Sequence, residues 1–170
     1  MGSPVFVGIQ RILVAFDASP HAEHALDVAL SMAGDMKAKL FVIAVIRPPE
    51  PAESAEFHAV LDEGRERYES IFVPLRERAK QKEIELETDI VLGHPAEQII
   101  HKADTIQASL IVMGKRSHTI LHRWMLGSNS ERVLRYAHCP VMIVHCSGLL
   151  AMKIENYVNG RAQERKFHRC

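Results

Sequence analysis

The chain reads as an α/β protein: one doubly wound, mostly parallel sheet of five strands with helices on both faces. Three observations predict this. Ile12, Leu13, Val14, Ala15 and Phe16, and then Leu40–Ile46, are continuous apolar runs, the pattern of strands buried on both faces. Between them Ala22, Ala25, Leu26, Ala29, Leu30 and Ala33 recur at three and four residues, which makes an amphipathic helix. The strand–helix order then repeats, and such alternation implies parallel pairing through right-handed crossovers.

Each element has its own signal. Asp17, Ala18, Ser19 and Pro20 break the first strand; Ser19 suits a helix N-cap, Pro20 the first helical position, and Gly34 the end. Arg47, Pro48 and Pro49 end the second strand, and the Pro- and Glu-rich stretch 47–54 reads as a loop. A long polar helix follows from about Glu56 to Lys82, with Val60, Leu61, Tyr68, Ile71, Phe72, Leu75 and Ala79 facing inward. Pro74 is expected to kink or split it, because proline removes a donor and clashes with the preceding turn. Leu86–Leu92 is a third strand, more polar and so nearer an edge. Gly93 and Pro95 open a short helix carrying Ala96, Ile99, Ile100 and Ala103. Ser109–Met113 and Pro140–His145 are the last strands, with a helix from about Asn129 to Ala137 between them.

The domain therefore covers residues 10–146, after an N-terminal extension of residues 1–9. The basic tail 147–170 does not continue the alternation. It reads either as a solvated end or as a segment whose Leu149, Leu150, Met152, Ile154, Tyr157 and Val158 pack on the body or on a second subunit.

Composition narrows the function. At 170 residues, with 47% hydrophobic content, the chain suits a single core. Lys plus Arg equals Asp plus Glu, at 21 each, so no overall field gathers nucleic acid or an acidic membrane. Cys139, Cys146 and Cys170 form no CxxC pair, which suits a reducing cytoplasmic setting better than a disulfide scaffold. The start of the chain lacks the pattern of a secretory signal, and no apolar run approaches the roughly 18 residues that span a bilayer.

The informative stretch runs from Leu110 to Val144. A buried strand ends at Met113 and Gly114; a basic loop follows with Lys115, Arg116, Ser117 and His118; then Gly127, Ser128, Asn129 and Ser130 lead into a helix. Glycines let the backbone approach a phosphate, and amides at a helix start point at an anion with the dipole behind them. Ser128 and Ser130 add hydroxyls. In an open parallel sheet, ligands bind beyond the carboxyl ends of strands, where Asp17 also stands. On this physics alone, an ordinary turn and N-cap explain Gly127 and Ser128 equally well.

These residues resemble the universal stress protein family across nearly all of 10–146. The resemblance is carried by Arg11–Ser19, by Gly93-His94-Pro95-Ala96, by Ile111–Gly114 and by Gly127–Leu134, with Cys139-Pro140-Val141 entering the last strand. The family's nucleotide signature is Gly, two residues, Gly, nine residues, Gly, then Ser or Thr. Here Gly114 and Gly127-Ser128 keep the spacing, and Ser117 replaces the middle glycine. A serine held at positive φ there costs about 1 kcal/mol.

The resemblance implies a Rossmann-like fold of the adenine nucleotide alpha hydrolase type, binding ATP or AMP, with Mg2+ beside the phosphates. It places Asp17 at the nucleoside, Ala15 and Val45 at the base, and Met113 and Gly114 along the ribose and phosphates. Gly127, Ser128, Asn129 and Ser130 hold the phosphates, and Ser117 borders them. It also implies a cytoplasmic homodimer through the last strand, Val141–Val144. The family includes members that do not bind ATP, so a ligand-free dimeric interaction protein is the alternative.

Other chemistries lack their parts. His21 with His24, and His118 with His122, have metal-ligand spacing but no third ligand nearby in sequence. GxxxxGK[ST], GxSxG and HExxH motifs are absent, and no base stands placed to activate Ser128. A slow ATPase therefore ranks below a binding role.

Overall fold

The computed structural model describes residues 8–48, 57–115 and 127–145. In chain order these form β1 (Arg11–Phe16), α1 (Pro20–Met36), β2 (Lys39–Ile46), α2 (Phe57–Gln81) and β3 (Leu86–Leu92). α3 (Pro95–Thr105), β4 (Leu110–Gly114), α4 (Ser128–Tyr136) and β5 (Val141–Val144) complete the described elements. Ser117, the rest of the basic loop and the tail from Cys146 onward lie outside the described residues.

All described strands pair parallel, in the order β3-β2-β1-β4-β5. β1 takes the centre, with Ile12, Leu13 and Val14 fully buried. β3, with its charged residues, lies at one edge as its sequence predicts. β5 is the other edge.

Side chains alternate between two cores. Ile12, Val14, Leu40, Val42, Leu110 and Val112 face α1 and α2, while Leu13, Phe41, Ile43, Ile111 and Met113 face α3 and α4. This double covering is what continuous apolar strands require. Phe72 anchors α2, fully buried with its ring 6.0 Å from that of Phe16.

Three local expectations are corrected. α1 does not end at Gly34. It runs to Met36, where Lys37 takes the left-handed conformation (φ 53°) and Ala38 N–H closes on the Ala33 carbonyl at 2.9 Å. That backbone cap sets the end, at a residue other than glycine. Pro74 does not split α2, because Phe72, Leu75 and Ala79, all buried on either side of it, hold both halves to the sheet. Val60 is 37% exposed rather than inward-facing.

The end of the sheet opposite the expected site is tied by a serine. Ser109 Oγ accepts from the amides of Gln10 and Arg11, at 2.9 and 2.8 Å, and donates to the Arg11 carbonyl at 2.9 Å. This fixes the β1–β4 register from below.

Candidate functional site

Strand order reverses at β1: β2 and β3 lie on one side, β4 and β5 on the other. Crossovers leave in opposite directions there, which opens a crevice beyond the carboxyl ends of β1 and β4. Ala15 stands level with Met113 across that gap and with Ile43 on the other side. Carried forward, the same registers set Asp17 between Val45 and Lys115. Ala15, Val45 and Met113 all belong to the cluster facing α3 and α4, together with Val133 of α4. Four sequence-predicted residues from three strands thus converge, three of them supplying an apolar wall.

Asp17 is half-buried, and its Oδ1 accepts the Ser19 amide at 3.0 Å. Ser19 Oγ in turn accepts the Ala22 amide at 3.2 Å, capping α1. The hydroxyl is therefore committed to the helix. Between them Ala18 has φ 58°, a left-handed conformation that costs about 1 kcal/mol without glycine. This tight turn holds the carboxylate at the strand end.

Gly114 is also required by packing. A Cβ there would lie 2.4 Å from the His21 carbonyl oxygen and 2.8 Å from the Ala22 amide nitrogen. The first turn of α1 rests directly on the end of β4, and only glycine permits it. Beyond it, Lys115 N–H donates to the Val144 carbonyl at 2.8 Å, so the β4–β5 ladder reaches the rim of the crevice.

α4 supplies the anion-binding end. Its first intrahelical bond runs from Glu131 N–H to the Gly127 carbonyl, 3.0 Å, so the amides of Ser128, Asn129 and Ser130 have no intrahelical acceptor. Gly127 is the N-cap at φ −61°, with open space where a Cβ would stand. Ser128 is exposed, Asn129 half-buried, and Ser130 only 7% exposed. Two side-chain contacts align α3 and α4: Arg132 of α4 pairs with Glu97 in the first turn of α3 at 3.3 Å, and His138 Nδ1, just beyond α4, meets Asp104 Oδ1 near the end of α3 at 3.1 Å. Both helix N-termini therefore lie at the carboxyl edge of the sheet. Amides and an apolar wall at one crevice suit a ligand with a flat apolar part and an anionic part.

Other groups offer less chemistry. Burial, then the charge of Asp104, pushes the Cys139 thiol up and away from the reactive thiolate. Among the described residues, no three His, Cys, Asp or Glu side chains are grouped to hold a metal ion. A shallow, open depression between α2 and β3 is lined by Arg65, Glu66, Glu69 and Ile90, away from the crevice. Sequence reasoning missed the left-handed Ala18 and the backbone role of Lys115. No periodicity signals either one.

The fold and crevice define a doubly wound α/β domain of the Rossmann-like class. The model of the Universal stress protein family matches residues 8–145, and the chain belongs to that family. It is 33% identical over 144 residues to universal stress protein YxiE of Bacillus subtilis, covering 79% of this chain and 97% of that one. The solved structure of a universal stress protein family member from Burkholderia pseudomallei superposes with a TM-score of 0.67 at 32% identity, covering 80% of this chain and 96% of that one. A universal stress protein solved in complex with cAMP matches with a TM-score of 0.62 at 29% identity, covering 81% and 98%. Among the described residues, no helix is long and apolar enough to cross a membrane.

Proposed function

We propose that this chain is a stress-response regulatory module that binds an adenine nucleotide, ATP or AMP, in the crevice between β1 and β4. It works in the cytoplasm as a dimer paired through β5, and it is not primarily an enzyme. One observation carries the reading: the reversal of strand order at β1 gathers Ala15, Asp17, Val45 and Met113 at the end where the first amides of α4, which have no acceptor within the helix, also lie. In this reading the apolar wall takes the adenine ring and Asp17 takes a ribose hydroxyl. Gly127, Ser128, Asn129 and Ser130 take the phosphates, and magnesium enters with ATP beside the Ser128 hydroxyl. The neighbour crystallised with cAMP supports the ligand class. β5 suits strand pairing because it carries no charge, whereas the β3 edge carries Glu87 and Asp89.

Calorimetric titration tests the nucleotide. The expected result is micromolar ATP affinity, removed by Asp17→Ala and by Gly127→Ala. Absence of binding heat with ATP, AMP and ADP would sink the proposal. The alternative, a ligand-free interaction protein, is favoured by one feature: Ser117 stands where the family signature has glycine. On that reading, partner capture depends on residues 148–170 and is indifferent to Asp17→Ala.

A further inference from the structure

The two edges of the sheet are built differently. Among the described residues no strand lies beyond β3 or beyond β5. Leu40 N–H donates to the Glu85 carbonyl and Gly93 N–H to the Ile46 carbonyl, with Leu40 level with Leu86 and Ile46 level with Leu92. The odd-numbered residues of β3 therefore turn their amides and carbonyls toward β2, and those of Leu86, Thr88, Ile90 and Leu92 point out of the sheet. Such a row is a template for one more strand.

Charge stands on both sides of that row. Glu87 and Asp89 are level with Phe41 and Ile43, so they share the α3 side of the sheet. Lys39 pairs with Glu85 and with Glu87, and Lys102 of α3 pairs with Asp89 at 2.9 Å. The side chains of Lys39 and Lys102 are 27% and 23% exposed, those of Glu85, Glu87 and Asp89 69%, 55% and 40%. The ammonium groups thus stand inward and hold the carboxylates at the rim. Lys39 is itself fixed, with its Nζ 5.3 Å from the centroid of the Phe41 ring. On the α2 side, where Leu86 and Ile90 pack, Arg76 Nε donates to Thr88 Oγ1 at 2.9 Å and the same guanidinium pairs with Glu69. β5, by contrast, has no charged residue between Val141 and Val144.

We propose that this pinned charge row is a stop to sheet extension: it bars a further strand from β3, so that the sheet grows only across β5 and two chains close as a pair. Desolvation is what bars it. A sixth strand would lie about 4.8 Å beyond β3, with its side chains among the rim carboxylates and the Arg76 guanidinium. A mobile surface glutamate swings aside from such an approach, whereas these acids are tied to Lys39 and Lys102. Burying them is unfavourable unless the newcomer replaces the hydrogen bonds they make to water. Exposed ion pairs of this kind add little to stability, so their effect lies in what they exclude. The stop is independent of nucleotide binding, and only its consequence, closure as a pair, rests on the proposed pairing through β5.

It is tested with the full chain and two full-length variants. The first carries Lys39→Met, Glu87→Thr, Asp89→Thr and Lys102→Met, which removes two charges of each sign and leaves the net charge unchanged. The second swaps one pair, Asp89→Lys with Lys102→Asp, and keeps charge at the rim. Circular dichroism establishes that each is folded. Sedimentation should find the first variant in assemblies of more than two chains at concentrations where the wild type and the swapped variant form none. Hydrogen exchange, read residue by residue, should be at least about tenfold slower at the amides of Leu86, Thr88 and Ile90 in those assemblies than in the wild type. A folded first variant that stays in the wild-type species up to its solubility limit overturns the stop, and so does a swapped variant that assembles alongside it. Wild-type amides already protected at Leu86, Thr88 and Ile90 overturn it too, since the edge is then covered. If the fourfold variant fails to fold, Asp89→Thr with Lys102→Met carries the same comparison. A wild type that stays monomeric, beside a variant that assembles with those amides protected, upholds the stop and removes the pairing through β5.

Discussion

Two glycines of one motif behave differently once their neighbours are known. Gly114 is pressed against the backbone of His21 and Ala22, whereas Gly127 faces open space at an ordinary φ of −61°. A methyl group at Gly114 has to displace the first turn of α1, and overpacking of this kind costs about 1–3 kcal/mol. Gly114→Ala is therefore expected to lower the unfolding free energy, read from a urea titration, by that amount. A variant as stable as wild type would mean that α1 does not seat on β4 this closely. Gly127→Ala should shift stability by less than about 1 kcal/mol, the difference between glycine and alanine at an N-cap. Binding lost in that variant would then report on the ligand alone. The spacing of the motif was legible in the sequence, but the division of labour within it was not, because the atoms crowding Gly114 come from a helix some ninety residues earlier.

At the scale of elements, every described strand and helix was readable from apolar period, while the boundaries and tethers were set by tertiary contact. The alternating Arg and Glu residues of α2 read as a solvated face, yet two of the arginines reach across the fold. Arg76 pairs with Glu69 and donates through Nε to Thr88 Oγ1 of β3 at 2.9 Å, and Arg78 reaches Asp27 of α1 at 2.7 Å. A solvated face and a tethering face look alike in sequence, since both are charged at helical spacing. The Arg76 hydrogen bond, ahead of its charge, holds the Glu69 carboxyl below the usual glutamate range. A carboxyl lowered in the folded state contributes stability above its unfolded pKa and loses it as pH falls through the folded one. The urea midpoints of wild type and Glu69→Gln should therefore differ at neutral pH and converge on acidification. Salt should narrow the neutral-pH gap, because both partners are largely exposed. A gap constant down to strongly acid pH would assign the effect to packing instead.

Across the whole molecule, the sequence carried the two halves of the crevice in separate places: an apolar strand ending in Asp17, and a glycine–serine helix start more than a hundred residues later. Their meeting depends on strand order, which apolar period does not encode. Either side of β1 can accept β4, and the right-handed crossover together with the Ser109 clasp on Arg11 selects the order seen. A ligand in this crevice would touch β1, β4 and α4 together and bind only when all three are assembled, so binding and global stability are linked. At a hundredfold excess over the dissociation constant such linkage adds about 2.7 kcal/mol. For a chain of this size that corresponds to about 5–10 °C in the unfolding midpoint. With a dissociation constant of about 1 μM, ATP at about 0.1 mM should therefore raise the midpoint of the wild-type chain by this amount, and it should leave Gly127→Ala, whose unliganded midpoint stays near wild type, unmoved. If ATP raised both midpoints equally, the nucleotide would be binding somewhere other than the start of α4.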